Sequence, residues 1–258
     1  MEPLVPSIGW GVLHVFYRVD ARAAADDPEA AKRFADAVDA LVADGYQAIV
    51  SVVLGHKADL AVMAIGPDLA RLQAFEAEAR TSPLEPVWSY LSLTELSEYT
   101  STEDDERARL QSDEGLAGDA LDEALATWRE RMAHYQEHRL HPRLPEKRVI
   151  CFYPMSKRRD AGANWFELPF DERKRLMGGH ARVGRGYAGR ILQLITGSTG
   201  LDDWEWGVTL LADDPVAVKE IVYEMRFDEV SARYAEFGPF YIGLVAPVRE
   251  ALARVGLA

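Results

Sequence analysis

The sequence predicts an α+β protein made of two fused β-α-β-β-α-β repeats with antiparallel sheets, and three observations carry that prediction. Apolar runs of strand length recur in both halves, each half holds two amphipathic helical runs in the same order, and an acidic, polar stretch separates the halves. A chain of 258 residues, 48% hydrophobic and 28% charged, has room for one large domain or two small fused ones.

Taken in order, residues 9–19, GWGVLHVFYRV, alternate as a strand does. Residues 25–45, ADDPEAAKRFADAVDALVADG, have an acidic start, a proline near the first turn and a glycine stop, which marks both ends of a helix. Residues 47–67 read as two strands around the turn Gly55-His56-Lys57, residues 68–82 as a helix and residues 85–99 as a strand. The order β-α-β-β-α-β is the ferredoxin-like unit. STEDDERARLQSDEG, 101–115, is acidic and polar and is expected to be an exposed, partly mobile connection. Residues 118–145 read as one long helix closed by His141-Pro142 and Leu144-Pro145.

The second half repeats the first: strand 148–155, helix 169–183, strands 190–197 and 204–212, helix 214–227 and a last strand at 236–245. A short helix, DEVSARYA, precedes that strand, and residues 247–258 add a closing helix. The expected organisation is an N-terminal repeat over 1–99, an acidic connection and linker helix over 100–147, and a C-terminal repeat over 148–258. Two four-stranded sheets side by side would carry helices on one face and leave the other partly open unless oligomerisation covers it.

The formal charge of −13 argues against a general nucleic-acid binder and against adhesion to anionic membranes. No apolar run reaches membrane-spanning length, and MEPLVPSIGW has no charged region followed by an apolar core, so neither a span nor a secretory signal is expected. The single cysteine, Cys151, rules out an intramolecular disulfide and fits a reducing cytoplasm. No CxxC or HExxH motif is present, which argues against structural zinc and iron–sulfur clusters.

The chemistry concentrates in residues 151–189, CFYPMSKRRDAGANWFELPFDERKRLMGGHARVGRGYAG. A strand carries Tyr153 and Lys157; a helix begun by Pro169 brings His180 onto its apolar face with Leu176, and Arg185 follows. A histidine so placed is either a core imidazole bonded to a neighbour or an axial iron ligand. Tyr153 reads as a packed ring or a redox-capable phenol, and Lys157-Arg158-Arg159 as a solvated turn or a local anion trap. His134, His138 and His141 share one helix face, where they are solvated or chelate a divalent metal.

The runs YPMSKRR, NWF, LMGGHARVGR, QLITGSTGLDDWEWGVTL and MRFDEVSARYAEFGPFYIG strongly resemble the chlorite dismutase-like superfamily, and within it the actinobacterial branch of the coproheme decarboxylases, HemQ. The resemblance implies fused ferredoxin-like repeats, independently of the element order. It implies that Tyr153 is the redox tyrosine and His180 the axial ligand. It also implies that Arg139 and Lys157 bind propionates, that Gln193 is the distal glutamine, and that Ser231 lies near a propionate, with Arg185 a weaker candidate. Members that degrade chlorite carry a distal arginine where this chain has Gln193, and a neutral amide cannot hold an anionic oxidant by charge. His134 or His138 would supply the distal base.

The implied substrate and redox cofactor is iron coproporphyrin III (coproheme), with hydrogen peroxide as oxidant and haem b as product. Tyr153, as a radical, would take a hydrogen from a propionate β-carbon. A cytoplasmic homopentamer supplied by an upstream ferrochelatase is the implied setting. The alternatives are a haem b peroxidase or chlorite-decomposing enzyme, and a non-catalytic haem-binding or ferredoxin-like interaction module.

Overall fold

The computed structural model describes residues 2–80 and 83–257 and divides into two compact units. Residues 1–94 and 144–258 form the larger, and Glu95–Arg143 the smaller. In chain order the elements of the first half are β1 Gly11–Val19, α1 Ala21–Asp26, α2 Ala30–Ala43, β2 Gln47–Val53, β3 Leu60–Gly66, α3 Leu69–Ala79 and β4 Leu84–Thr94. The smaller unit holds α4 Glu103–Asp113 and α5 Gly118–Leu140. The second half contains β5 Val149–Lys157, the short pair β6 Arg159–Asp160 and β7 Ala163–Asn164, α6 Phe170–Arg185, β8 Ile191–Gly197 and β9 Trp206–Ala212. It ends with α7 Pro215–Met225, α8 Glu229–Tyr234, β10 Ala235–Phe237, β11 Tyr241–Val245 and α9 Val248–Arg254. The expected β-α-β-β-α-β order is therefore present in both halves. Thr81 and Ser82, the expected end of the second helix, lie outside the described residues, as does Ala258 of the closing helix.

The strand order is β10-β5-β11-β2-β3-β1-β4-β8-β9, all pairs are antiparallel, and β9 also pairs with β5. The sheet thus returns on itself, so the expected partly open face is instead the lining of a closed barrel. Strand alternation makes this possible. Val12 and Phe16 of β1 pack inside with Ile150 and Phe152 of β5, while Leu13, Val15 and Tyr17 face α2, α3 and α9 through Phe34, Leu41, Leu72, Phe75 and Leu252.

The closure is tight along β5–β9, which pair over seven residues, and thin between β4 and β8, where only Leu93↔Gly197 and Thr94↔Thr196 pair. Beyond those pairs the loop after β8 takes over. Asp202 Oδ2 accepts the Leu91 N–H at 3.1 Å, Ser198 donates to the Leu91 carbonyl, and the Tyr90 hydroxyl donates to Trp204 O at 3.1 Å. The last strand expected over 236–245 is broken at Gly238, whose N–H bonds Pro154 O at 2.9 Å; a Cβ there would lie 2.7 Å from the Pro154 ring.

In the smaller unit the acidic run 101–115 is not a mobile connection but contains helix α4. Thr102 and Asp105 form a reciprocal capping box, and four acidic residues occupy the first turn, where the helix dipole favours them. Glu103 bonds Arg129 and Glu106 bonds Arg109, and Leu110 packs with Leu121 and Leu125 of α5.

Inside the barrel the polar groups pair with one another: Ser92 Oγ lies 2.8 Å from Thr196 Oγ1, and His14 Nε2 lies 3.0 Å from Thr209 Oγ1. His14 stacks on Phe152 at 4.0 Å, its Nδ1 has no partner, and burial pulls its pKa down to about 3. The unfolded chain therefore binds a proton near pH 6.5 that the folded chain refuses, so this residue contributes stability above pH 6.5 that is lost as pH falls toward 3. Urea titrations should show a pH slope below 6.5 that is steeper in wild type than in His14→Asn, by about 1.4 kcal/mol per pH unit at most.

Candidate functional site

The outer face of β5 carries Cys151, Tyr153, Met155 and Lys157, the residues that alternate with the inward Ile150 and Phe152. Register extends this face sideways: Tyr153 stands beside Val208 of β9 and Ile195 of β8, and Cys151 beside Leu210 and Gln193. The result is an apolar floor with Tyr153 near its centre, Lys157 at one end of β5 and Gln193 two strands away. Tyr153 is 5% exposed, stacks on Phe240 at 4.3 Å and meets the edge of Phe237 at 5.9 Å. Burial raises its pKa above the ordinary phenol range, so it remains a protonated phenol at neutral pH. Its hydroxyl makes no hydrogen bond to any described residue. Burial likewise raises the Cys151 thiol to about 12, which leaves it unreactive.

Lys157 is held differently. Its backbone N–H donates to Glu205 Oε2 at 2.7 Å, Glu205 also pairs with Arg159, and the ammonium lies 4.6 Å over the Trp165 ring. No described carboxylate lies within ion-pair distance of that ammonium, and burial pulls its pKa down to about 8 against the opposing charges of Asp228 and Glu205. A cation desolvated on an aromatic face and left without a carboxylate is prepared to receive one.

Helix α6 delivers the histidine. Asn164 caps the Trp165–Glu167 turn by accepting the Phe166 N–H at 3.1 Å, Pro169 precedes the helix, and Asp171 and Glu172 sit in its first turn. Leu176, His180 and Gly184 follow at four-residue intervals on one face. Gly184 lets β8 approach: Gln193 Nε2 donates to its carbonyl at 2.9 Å, and the Gln193 amide lies 3.2 Å from where a Cβ would stand. His180 Nδ1 lies 3.0 Å from Asp228 Oδ2. Donation to a carboxylate places the proton on Nδ1, so the lone pair is on Nε2, which bonds no described residue. Asp228 also caps α8, accepting the Ser231 N–H and hydroxyl, each at 3.0 Å. Burial opposes its charge, but the bonds from His180 and Ser231 hold its carboxyl below the usual range.

The larger unit therefore carries Tyr153, Lys157, His180, Gln193 and Ser231, with Ser231 bonded to Asp228. Arg139 belongs to the smaller unit, on α5, where it donates to Glu95 O at 3.4 Å while its Nε is buried without a partner. Arg185 closes the last turn of α6. On α5, His134 and His138 meet edge to face at 4.3 Å and His141 bonds Glu137, yet no group of three or more His, Cys, Asp or Glu among the described residues could hold a metal. Asp228 was missed in the sequence; its only signal there is the Asp-x-x-Ser helix start, which says nothing of His180 48 positions earlier.

A sequence model of the chlorite dismutase family matches residues 27–246, and the chain belongs to that family. A Natronomonas pharaonis protein named for heme binding is 42% identical over 249 residues, covering 91% of this chain. The chain spans only 39% of that relative's length. The structure of a heme-binding protein from Thermus thermophilus shares 38% identity at a TM-score of 0.76, covering 97% of this chain and 96% of that one. A chlorite dismutase mutant from Candidatus Nitrospira defluvii shares the fold at a TM-score of 0.69 and 17% identity, over 97% of this chain and 96% of that one.

Replacing Asp228 with Ala removes a helix cap and the histidine's anchor together. It should cost about 2 kcal/mol in denaturant unfolding and abolish the Nδ1-protonated His180 signal in side-chain NMR, whereas Asp228→Asn should retain most of the cap.

Proposed function

We propose that this protein is a coproheme decarboxylase: it converts two propionates of iron coproporphyrin III to vinyl groups with hydrogen peroxide, giving haem b. The observation that carries the reading is the pairing, on one strand face, of a neutral phenol with no hydrogen-bond partner and an ammonium with no carboxylate, served by an adjacent helix whose histidine has a free Nε2. A single neutral imidazole with its second nitrogen on a carboxylate suits haem iron, and the apolar floor suits a porphyrin plane. Gln193 in place of the arginine of chlorite-degrading members favours this chemistry over chlorite turnover.

When bound, the iron porphyrin with peroxide supplies the one-electron oxidising power. His180 holds the porphyrin, with Asp228 keeping its Nδ1 protonated. Lys157 takes a propionate carboxylate, with Ser231 of the same unit near a propionate, and the fixed geometry contributes much of the rate. Tyr153 gives up its hydroxyl hydrogen and, as a radical, recovers one from the propionate β-carbon; a second electron leaves as CO2 departs and the vinyl forms. For each propionate, one peroxide and one proton are consumed and one CO2 and two waters are released. No described helix is long and apolar enough to cross a membrane, and the setting we propose is cytoplasmic, as a homopentamer receiving its substrate from a ferrochelatase.

A second reading, haem binding without chemistry, is favoured by the names of the Natronomonas and Thermus relatives. Mass spectrometry of the porphyrin during peroxide titration separates the two. Wild type should lose two carboxyl groups stepwise, and Tyr153→Phe should bind coproheme but leave it intact; an intact porphyrin with wild type would favour the binding reading. Protonated Lys157 favours the carboxylate, so affinity for metal-free coproporphyrin III should be full below pH 8 and fall as pH rises through about 8, and Lys157→Met should lose that dependence.

A further inference from the structure

The Tyr153 hydroxyl has no hydrogen-bond partner among the described residues, so the phenol is held by what packs on its ring and by nothing at its oxygen. That packing comes from the turn between β10 and β11. Phe240 covers one face of the ring at 4.3 Å, with the two planes 25° apart, and Phe237 meets the edge at 5.9 Å. The turn has no strand ladder of its own, since β10 ends at Phe237 and β11 begins at Tyr241. It is pinned instead from two directions. On the side of β5, the Gly238 N–H donates to Pro154 O at 2.9 Å, and a Cβ at Gly238 would lie 2.7 Å from the Pro154 ring and 3.0 Å from Trp204. On the other side, the Lys57 ammonium donates to the Phe240 carbonyl at 2.5 Å and lies 5.5 Å over the Tyr241 ring. Lys57 is delivered by the hairpin between β2 and β3. Gly55, at φ +94°, makes that turn, Arg18 donates to His56 O at 2.7 Å, and the Leu54 N–H reaches Ile242 O at 2.8 Å.

We propose that Phe240, tethered by Lys57, is the positioning residue for Tyr153: its ring fixes the plane of the phenol and so the point at which the phenol oxygen meets the propionate β-carbon. The assignment rests on the decarboxylase reading above. Hydrogen transfer from carbon to oxygen needs the two atoms in near contact, and a misplacement of about 1 Å costs about a hundredfold in rate. Stacking fixes the direction of the phenol while leaving its oxygen open to the substrate. Lys57 acts at one remove, through the Phe240 carbonyl, and its loss frees the turn that carries the ring. By this bond the first repeat of the chain takes part in the chemistry of the second.

The test reads the phenol and the reaction separately. Protein labelled with fluorotyrosine is followed by fluorine NMR without porphyrin, the Tyr153 signal being the one lost in Tyr153→Phe. Wild type should show separate lines for the ring orientations of Tyr153, in slow exchange, and these should merge in Phe240→Leu and in Lys57→Met. Coproheme-loaded protein is then given hydrogen peroxide and its porphyrin followed by mass spectrometry. Phe240→Leu should decarboxylate about tenfold more slowly and Lys57→Met about threefold, with affinity for metal-free coproporphyrin III unchanged, and Phe240→Tyr, which keeps the ring, should recover the wild-type rate. Wild-type lines and rate in Phe240→Leu overturn the proposal while the decarboxylase reading stands, as does a fall in porphyrin affinity that accounts for the lost rate. Wild-type protein that leaves coproheme intact overturns that reading and the proposal with it.

Discussion

The structure depends on one constraint, the two-faced character of strand β5. Phe152 must point into the barrel, where it meets His14, Phe16, Trp88 and Tyr90, for Tyr153 to point out onto the floor of the site. β5 pairs with β9 along one edge and with β11 and β10 along the other, so its register is held from both sides. A slip of one residue would bury Tyr153 and Lys157 among the barrel aromatics and expose Phe152. The interior packing is therefore what aims the chemistry.

The second support is polar and crosses between helices. Asp228 does three things with one carboxylate: it caps α8, accepts the Ser231 hydroxyl and orients His180 on α6. The short turn that begins α8 and the imidazole on α6 are thereby tied together, and the orientation of the free Nε2 is set by the carboxylate on the opposite side of the ring. Glu205 plays a comparable part for Lys157, gripping its backbone N–H and the Arg159 guanidinium while the ammonium itself rests on Trp165.

Local features were legible in the sequence because their causes are local. The glycine stop at Gly45, the proline before α6, the His141-Pro142 helix end and the four-residue spacing of Tyr153 and Lys157 all act over a few residues. The placement of His180 on the same face as Leu176 could be read for the same reason. Two kinds of feature are not legible in this way. Acidity at 101–115 suggests a mobile connection, although Thr102 and Asp105 spell a capping box and the acids lie where the helix dipole stabilises them. Barrel closure, the His180–Asp228 bond and the Lys57–Phe240 bond join distant positions, and no periodicity encodes them.

The thin seam between β4 and β8 has a consequence for how copies of this chain can meet. Over most of its length the outer edge of β4 has no strand beside it, which ordinarily invites a foreign strand to add on. Here the Leu91 amide and carbonyl are already occupied by Asp202 and Ser198, Pro86 offers no N–H, and Glu85 places a charge beside it. The edge is closed chemically where it is not closed by pairing. Strand exchange and fibre growth along β4 should therefore be suppressed by a handful of residues that lie outside the candidate site.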